Sequence, residues 1–66
     1  MEIIINGNAR DVPVGYTAQK LIDSMALTGK RIAMEVNKEI VPRSRYAQHT
    51  FAAGDHIEIV YAVGGG

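Results

Sequence analysis

The group in this sequence best suited to covalent chemistry is a main-chain carboxylate. The sequence finishes Val63-Gly64-Gly65-Gly66. Glycine has no Cβ, so it visits positive φ freely and lets an enzyme wall approach its backbone closely. A glycine run buries nothing in a core. It is therefore either a frayed end or a segment to be threaded into another protein. The run His56 to Val63 alternates like a strand and leads into the glycines without a loop. A strand fixed in a sheet would hold the glycines out from the body. At about 3.3–3.6 Å per extended residue, four residues reach roughly 13–14 Å, enough to place the Gly66 carboxylate in a partner's active site.

No other constellation competes. His49 and His56 lie apart, with no third ligand at metal spacing, and a structural zinc site usually needs four. They read as ordinary surface histidines, and no metal site is expected. Ser24 and Ser44 have no adjacent His–Asp pair. Asp55 follows a glycine and reads as a turn former. No catalytic residue is expected. There is no cysteine, which removes a disulfide scaffold, a thiol nucleophile and a cysteine persulfide together.

A chain of 66 residues is one domain with little room for a private catalytic cleft. Seven basic and seven acidic residues cancel, so no basic stripe argues for nucleic acid. No apolar run approaches the roughly 20 residues of a membrane span, and the start lacks the block pattern of a signal peptide. The expectation is a cytoplasmic binding or carrier protein that engages neither nucleic acid nor membrane.

The elements that must position the tail follow from periodicity. Met1 to Ile5 alternates, with Met1, Ile3 and Ile5 on one face. Asn6-Gly7-Asn8 is a hairpin signal, and Ala9 to Val14 returns as an edge strand containing Pro13. Thr17 is a credible N-cap for a helix whose inner face is Ala18, Leu21, Ile22 and Met25, with Gly29 as its stop. Arg31 to Val36 and Glu39 to Val41 are strands around an Asn37-Lys38 turn. Arg43 to Ala52 is an irregular crossover anchored by Tyr46 and Phe51. Gly54-Asp55 turns into the last strand. The order β-β-α-β-β-β predicts an α+β fold: a mixed sheet with one helix packed on one face. Ile3, Ile5, Leu21, Ile22, Met34, Ile57 and Ile59 are the expected core. The final strand should lie inside the sheet, parallel to the first, with both edges paired. Ile4, Ala33, Val60 and Ala62 should share the face away from the helix. A contiguous apolar patch there, beside the root of the tail, is the expected partner-docking face, with Ile4, Val60 and Ala62 as its residues.

Several stretches together resemble one family: Gly15-Tyr16-Thr17 before Leu21-Ile22, the run Ala33 to Arg43, the run Gly54 to Ile59, and Gly65-Gly66. They are similar to the ThiS family, the sulfur carriers of thiamine biosynthesis, over essentially the whole chain. The Gly-Asp turn with a terminal Gly-Gly is common to ubiquitin-like sulfur carriers. Val36-Asn37 to Val41-Pro42-Arg43 and the short length point more narrowly to ThiS. The resemblance implies a ubiquitin-like β-grasp domain over residues 1–62 and a flexible tail over 63–66. It implies that a ThiF-like, E1-type enzyme adenylates the Gly66 carboxylate using ATP and magnesium. A sulfur donor protein then yields a thiocarboxylate, and thiazole synthase (ThiG) takes the sulfur. Gly64 and Gly65 would be the threaded residues, and the carrier would bind no cofactor of its own. Two alternatives share the same chain end: the small subunit of molybdopterin synthase, and a ubiquitin-like protein modifier.

Overall fold

The computed structural model describes residues 1–61. The expectations for Ala62, Gly64, Gly65 and Gly66 fall outside them. The described residues form strands β1 (Glu2–Ile5) and β2 (Asn8–Asp11), helix α1 (Ala18–Ser24), strands β3 (Ile32–Val36) and β4 (Glu39–Val41), a short 3₁₀ turn at Arg43–Arg45, and strand β5 (His56–Tyr61). The five strands make one sheet in the order β2-β1-β5-β3-β4. β1 and β2 are antiparallel, β3 is antiparallel to both β4 and β5, and β1 runs parallel to β5. This is the mixed α+β arrangement that the order of elements predicts.

Both hairpins turn through two positive-φ residues, of which Asn6, Gly7 and Asn37 are types that tolerate it. Asn6 and Gly7 have φ of 49° and 83°, and Asn37 and Lys38 have φ of 51° and 70°. Two consecutive positive-φ residues give a turn whose twist matches that of the strands it joins. The register then opposes Ile5 to Asn8 and Val36 to Glu39. β2 is shorter than the sequence suggests, stopping at Asp11 before Pro13, which has no N–H to donate to a ladder. Val14, expected in that strand, is 86% exposed.

The helix begins where expected. Thr17 is extended, and the Lys20 N–H donates to its Oγ1 at 3.1 Å. The next two orphan donors of the first turn are satisfied from the crossover. Ala18 N–H donates to the His49 carbonyl and Gln19 N–H to the Tyr46 carbonyl, both at 2.9 Å. The crossover is thus docked on the helix start, with Tyr46 and Phe51 buried beneath it. The end of the helix differs from expectation. The left-handed residue that closes the helix is Ala26, at φ 58°, and Gly29, at φ 77°, makes a separate turn beyond it. Leu27 N–H donates to the Ile22 carbonyl and Ala26 N–H to that of Asp23, which makes a Schellman closure. Leu27 is buried by this turn, and that burial offsets the steric cost of a left-handed alanine. Past it, the Thr28 hydroxyl and the Gln19 amide donate to the Asp23 carboxylate and hold its pKa below the usual value.

All seven expected core residues are buried, and Ile3, Leu21, Met34 and Ile57 are the largest side chains enclosed almost completely. Val12, Ala18, Leu27, Val36, Val41, Tyr46 and Phe51 join them in the buried cluster. His49 departs from its surface assignment. It is half-buried with its ring edge-on to Phe51, centroids 5.5 Å apart, while His56 is exposed.

Candidate functional site

The chain's route to residues 62–66 runs through β5, so what fixes β5 fixes the tail's origin. Along one edge, β3 pairs with β5 through the whole strand, from Val36↔Ile57 to Ile32↔Tyr61. On the other edge, β1 pairs only at Ile4↔His56 and Ile5↔Ile57. There β1 ends at the Asn6-Gly7 turn. The Asn6 side chain continues the ladder by one step: the Ile59 N–H donates to its Oδ1 at 2.9 Å. β5 thus lies inside the sheet and parallel to β1 as expected, but the expectation of two paired edges holds only for its first half. Val60 and Tyr61 are paired on the β3 side alone among the described residues.

The root of the strand is tied by side chains as well. Asn37 Nδ2 donates to Asp55 Oδ1 at 3.0 Å, and His56 N–H donates to Asn37 Oδ1 at 3.0 Å. Asp55 Oδ2 accepts from the Ala52 N–H at 2.8 Å. Two hairpin asparagines thus pin β5, one at His56 and one at Ile59. In the sequence, both read only as turn formers. Each stands in a turn that Asn suits for its backbone alone, so nothing local signals the second role.

The sheet face away from the helix can be read from the register. β5 contributes His56, Glu58 and Val60, opposed on β3 by Glu35 for Glu58 and Ala33 for Val60. β1 contributes Glu2 and Ile4, with Ile4 beside His56. Ile4 and Val60 share this face as expected, but they do not touch. His56 and Val60 are four residues apart, about 13 Å along a strand, with Glu58 between them. The expected contiguous apolar patch is interrupted by carboxylates. What remains at the strand's end is Val60, 55% exposed, against Ala33, with Tyr61 59% exposed beside it. Tyr61 shares the parity of Ile57 and Ile59, yet it is exposed rather than buried with them. Glu2, Asp11, Glu35 and Glu58 spread carboxylates over the face, beside His56 and the 63% exposed Ile40, which opposes Glu35 on β4. No group of three or more His, Asp or Glu among the described residues could hold a metal.

This geometry holds a central strand firmly at its root and directs its far end to the rim of the sheet. The sequence model of the ThiS family matches residues 3–66. The chain belongs to the ThiS family. It is 32% identical over 66 residues to the sulfur carrier protein ThiS of Escherichia coli, covering all of both chains. It is also 39% identical over all 66 residues to a thiazole synthase of Paramagnetospirillum magneticum. There it spans 20% of the relative's length. Among solved structures, the crystal structure of the ThiS thiamine biosynthesis protein of Geobacter metallireducens superposes with a TM-score of 0.84. That match has 25% identity and covers both chains completely. The fold is therefore the β-grasp of ThiS proteins.

Proposed function

We infer that this chain is the sulfur carrier for thiazole formation in thiamine biosynthesis, a carrier and not itself a catalyst. The observation that carries this reading is the ThiS-family match through Gly66, on a body whose central strand leads to that residue. The names of the relatives concern thiamine and thiazole, which favours this acceptor over the molybdopterin synthase alternative.

The chemistry follows from the weakness of a carboxylate as an acyl donor. A Gly66 carboxylate oxygen attacks the α-phosphorus of ATP, with magnesium, on a ThiF-like adenylating enzyme, and pyrophosphate leaves. Sulfur delivered at the sulfide level by a donor protein then attacks the acyl carbon, and AMP leaves. The thiocarboxylate passes its sulfur to thiazole synthase. With no cysteine in the chain, the terminal carboxylate is the group that can hold acyl-bound sulfur. Gly64 and Gly65 let the main chain pass close to the enzyme wall. Residues 1–62 act as the folded handle and 63–66 as the threaded tail. Intact-mass measurement after incubation with the adenylating enzyme, ATP–magnesium and a sulfur donor tests the reading. The expected product has gained one sulfur in place of one oxygen at its end. An unchanged mass alongside active partners would overturn it.

Ordering four tail residues costs on the order of 4–8 kcal/mol, and glycines return no side-chain burial. The folded body must offset that cost through its own contacts. Val60 with Ala33 provides an apolar step at the strand's end, and Ala62 would extend the same face. Ile4 lies farther along it, beyond Glu58. A complementary partner surface is apolar opposite Val60 and basic opposite Glu35 and Glu58. Val60→Asp is expected to weaken binding to the adenylating enzyme at least about tenfold, or ~1.4 kcal/mol. Being exposed, it should leave stability within about 0.5 kcal/mol. Titration calorimetry with a melting curve checks both, and unchanged affinity moves the interface elsewhere.

A further inference from the structure

The C-terminal half of β5 has one edge that nothing among the described residues covers. Alternation along the strand shows which main-chain groups lie there. The Asp55 carbonyl accepts from Ile4 N–H, the Ile57 carbonyl accepts from Asn6 N–H, and the Ile59 N–H donates to Asn6 Oδ1. Odd-numbered residues of β5 therefore direct their main-chain groups toward β1, while His56, an even one, accepts from Asn37 on the β3 side. The next groups in the odd row are the Ile59 carbonyl and the Tyr61 N–H. The β1 register ends at Ile5, so no strand reaches them. Asn6 fills one rung and then the row is open.

An open row of alternating donor and acceptor is a template for another extended main chain. We propose that thiazole synthase adds an extended segment to this edge at Ile59 and Tyr61, making one more strand beside β5. The proposal rests on the sulfur-carrier reading, and two observations favour this occupant. The residues that must enter the acceptor's site begin immediately after Tyr61, so the acceptor's own chain has to run beside this point. The matched thiazole synthase carries a counterpart of this chain within its own polypeptide, so the two units share a molecule there. Pairing at Tyr61 would continue the rigid ladder from the folded body into the acceptor. It would set the direction in which the chain leaves Tyr61 toward the acceptor.

The test compares Tyr61→Pro with Tyr61→Val in the full chain, binding to purified thiazole synthase. Both lose the ring, and only proline loses the N–H. Because that N–H does not belong to the β3 ladder, proline is compatible with the strand. The proline variant is expected to bind about tenfold more weakly than the valine variant, the effect of one main-chain hydrogen bond lost at a desolvated site. Equal affinities would overturn the proposal. Amide exchange in the unaltered chain decides the matter if the proline variant does not fold. The Tyr61 amide should be slowed at least about tenfold on saturation with thiazole synthase, while the β3-paired Val60 amide is protected throughout. Unchanged Tyr61 exchange in a saturated complex refutes the added strand and leaves the carrier reading intact. Absence of any complex with the unaltered chain counts against both. Protection of Tyr61 that rises with the concentration of this chain alone assigns the edge to a second copy and overturns the proposed occupant.

Discussion

A chain lacking Gly66 is expected to support no adenylate formation, or to do so at least about a hundredfold more slowly, while melting like the intact chain. The reacting atom in the proposed chemistry is the Gly66 carbonyl carbon, and chain length alone sets its position. Removing one residue withdraws the carboxylate by about 3.3–3.6 Å. Misplacement of about 1 Å can already cost 10²-fold where rate depends on positioning. Adding a residue after Gly66 should do the same harm in the opposite direction. Gly65→Val tests the companion requirement, because it sets a branched Cβ where a close wall is expected. Among the described residues the buried layer runs from Ile3 to Ile59, and none of these changes falls within it. ATP–pyrophosphate exchange with the adenylating enzyme, paired with a melting curve, measures both halves. Exchange at the unaltered rate by the shortened chain would refute the sulfur-carrier mechanism, whatever the fold.

Leu21→Ala should have the opposite profile: a damaged body carrying an intact reactive group. Leu21 has no exposed surface and belongs to the cluster that includes Ile3, Met34 and Ile57. Truncating such a leucine typically costs about 2–5 kcal/mol, the lost transfer energy plus the cavity left behind. A chain of this size has only about 3–10 kcal/mol of total stability. The variant is therefore expected to be partly unfolded near physiological temperature. Chemical denaturation with the slope checked against the unaltered chain gives the value. A midpoint that does not move would show that the helix face is wrongly assigned.

The features legible in the sequence are those that a few neighbouring residues decide. Asn6-Gly7 fixes the first hairpin because Asn and Gly tolerate positive φ, and Asn37 does the same in the second, where Lys38 takes φ 70° against its own preference. Thr17 caps the helix through a hydroxyl three residues from its donor. The core list holds because alternation and helical spacing are read within one element. What escaped depends on distant partners. The helix stops at a left-handed Ala26 because Leu27 has a core to enter. The β1 register runs out before β5 does, a matter of relative strand lengths that no local pattern encodes. Asn6 bonds to a residue 53 positions away. Ile4 and Val60 share a face as alternation predicts. Their separation depends on the offset between two parallel strands, which alternation does not contain. The family resemblance supplied the tail's chemistry, and it rests on motifs spread over the chain rather than on any single residue.

The strand order has a kinetic consequence. The two hairpins, β1-β2 and β3-β4, are not paired with each other; each is paired with β5, the last element in sequence. Until β5 arrives, residues 1–55 hold two isolated hairpins and a seven-residue helix, each marginal alone. They also lack Ile57 and Ile59 from the interior. Closing the sheet brings Ile4 to His56 across about 50 residues, a loop-closure cost on the order of 3–4 kcal/mol before any contact is gained. The closure step should therefore limit the folding rate, as long-range pairing generally does. Because β5 is both the closing piece and the strand from which residues 62–66 emerge, folding acts as a completeness check. A copy that has not finished folding has no anchored strand from which to extend them, so an enzyme that requires that anchor selects for folded carriers.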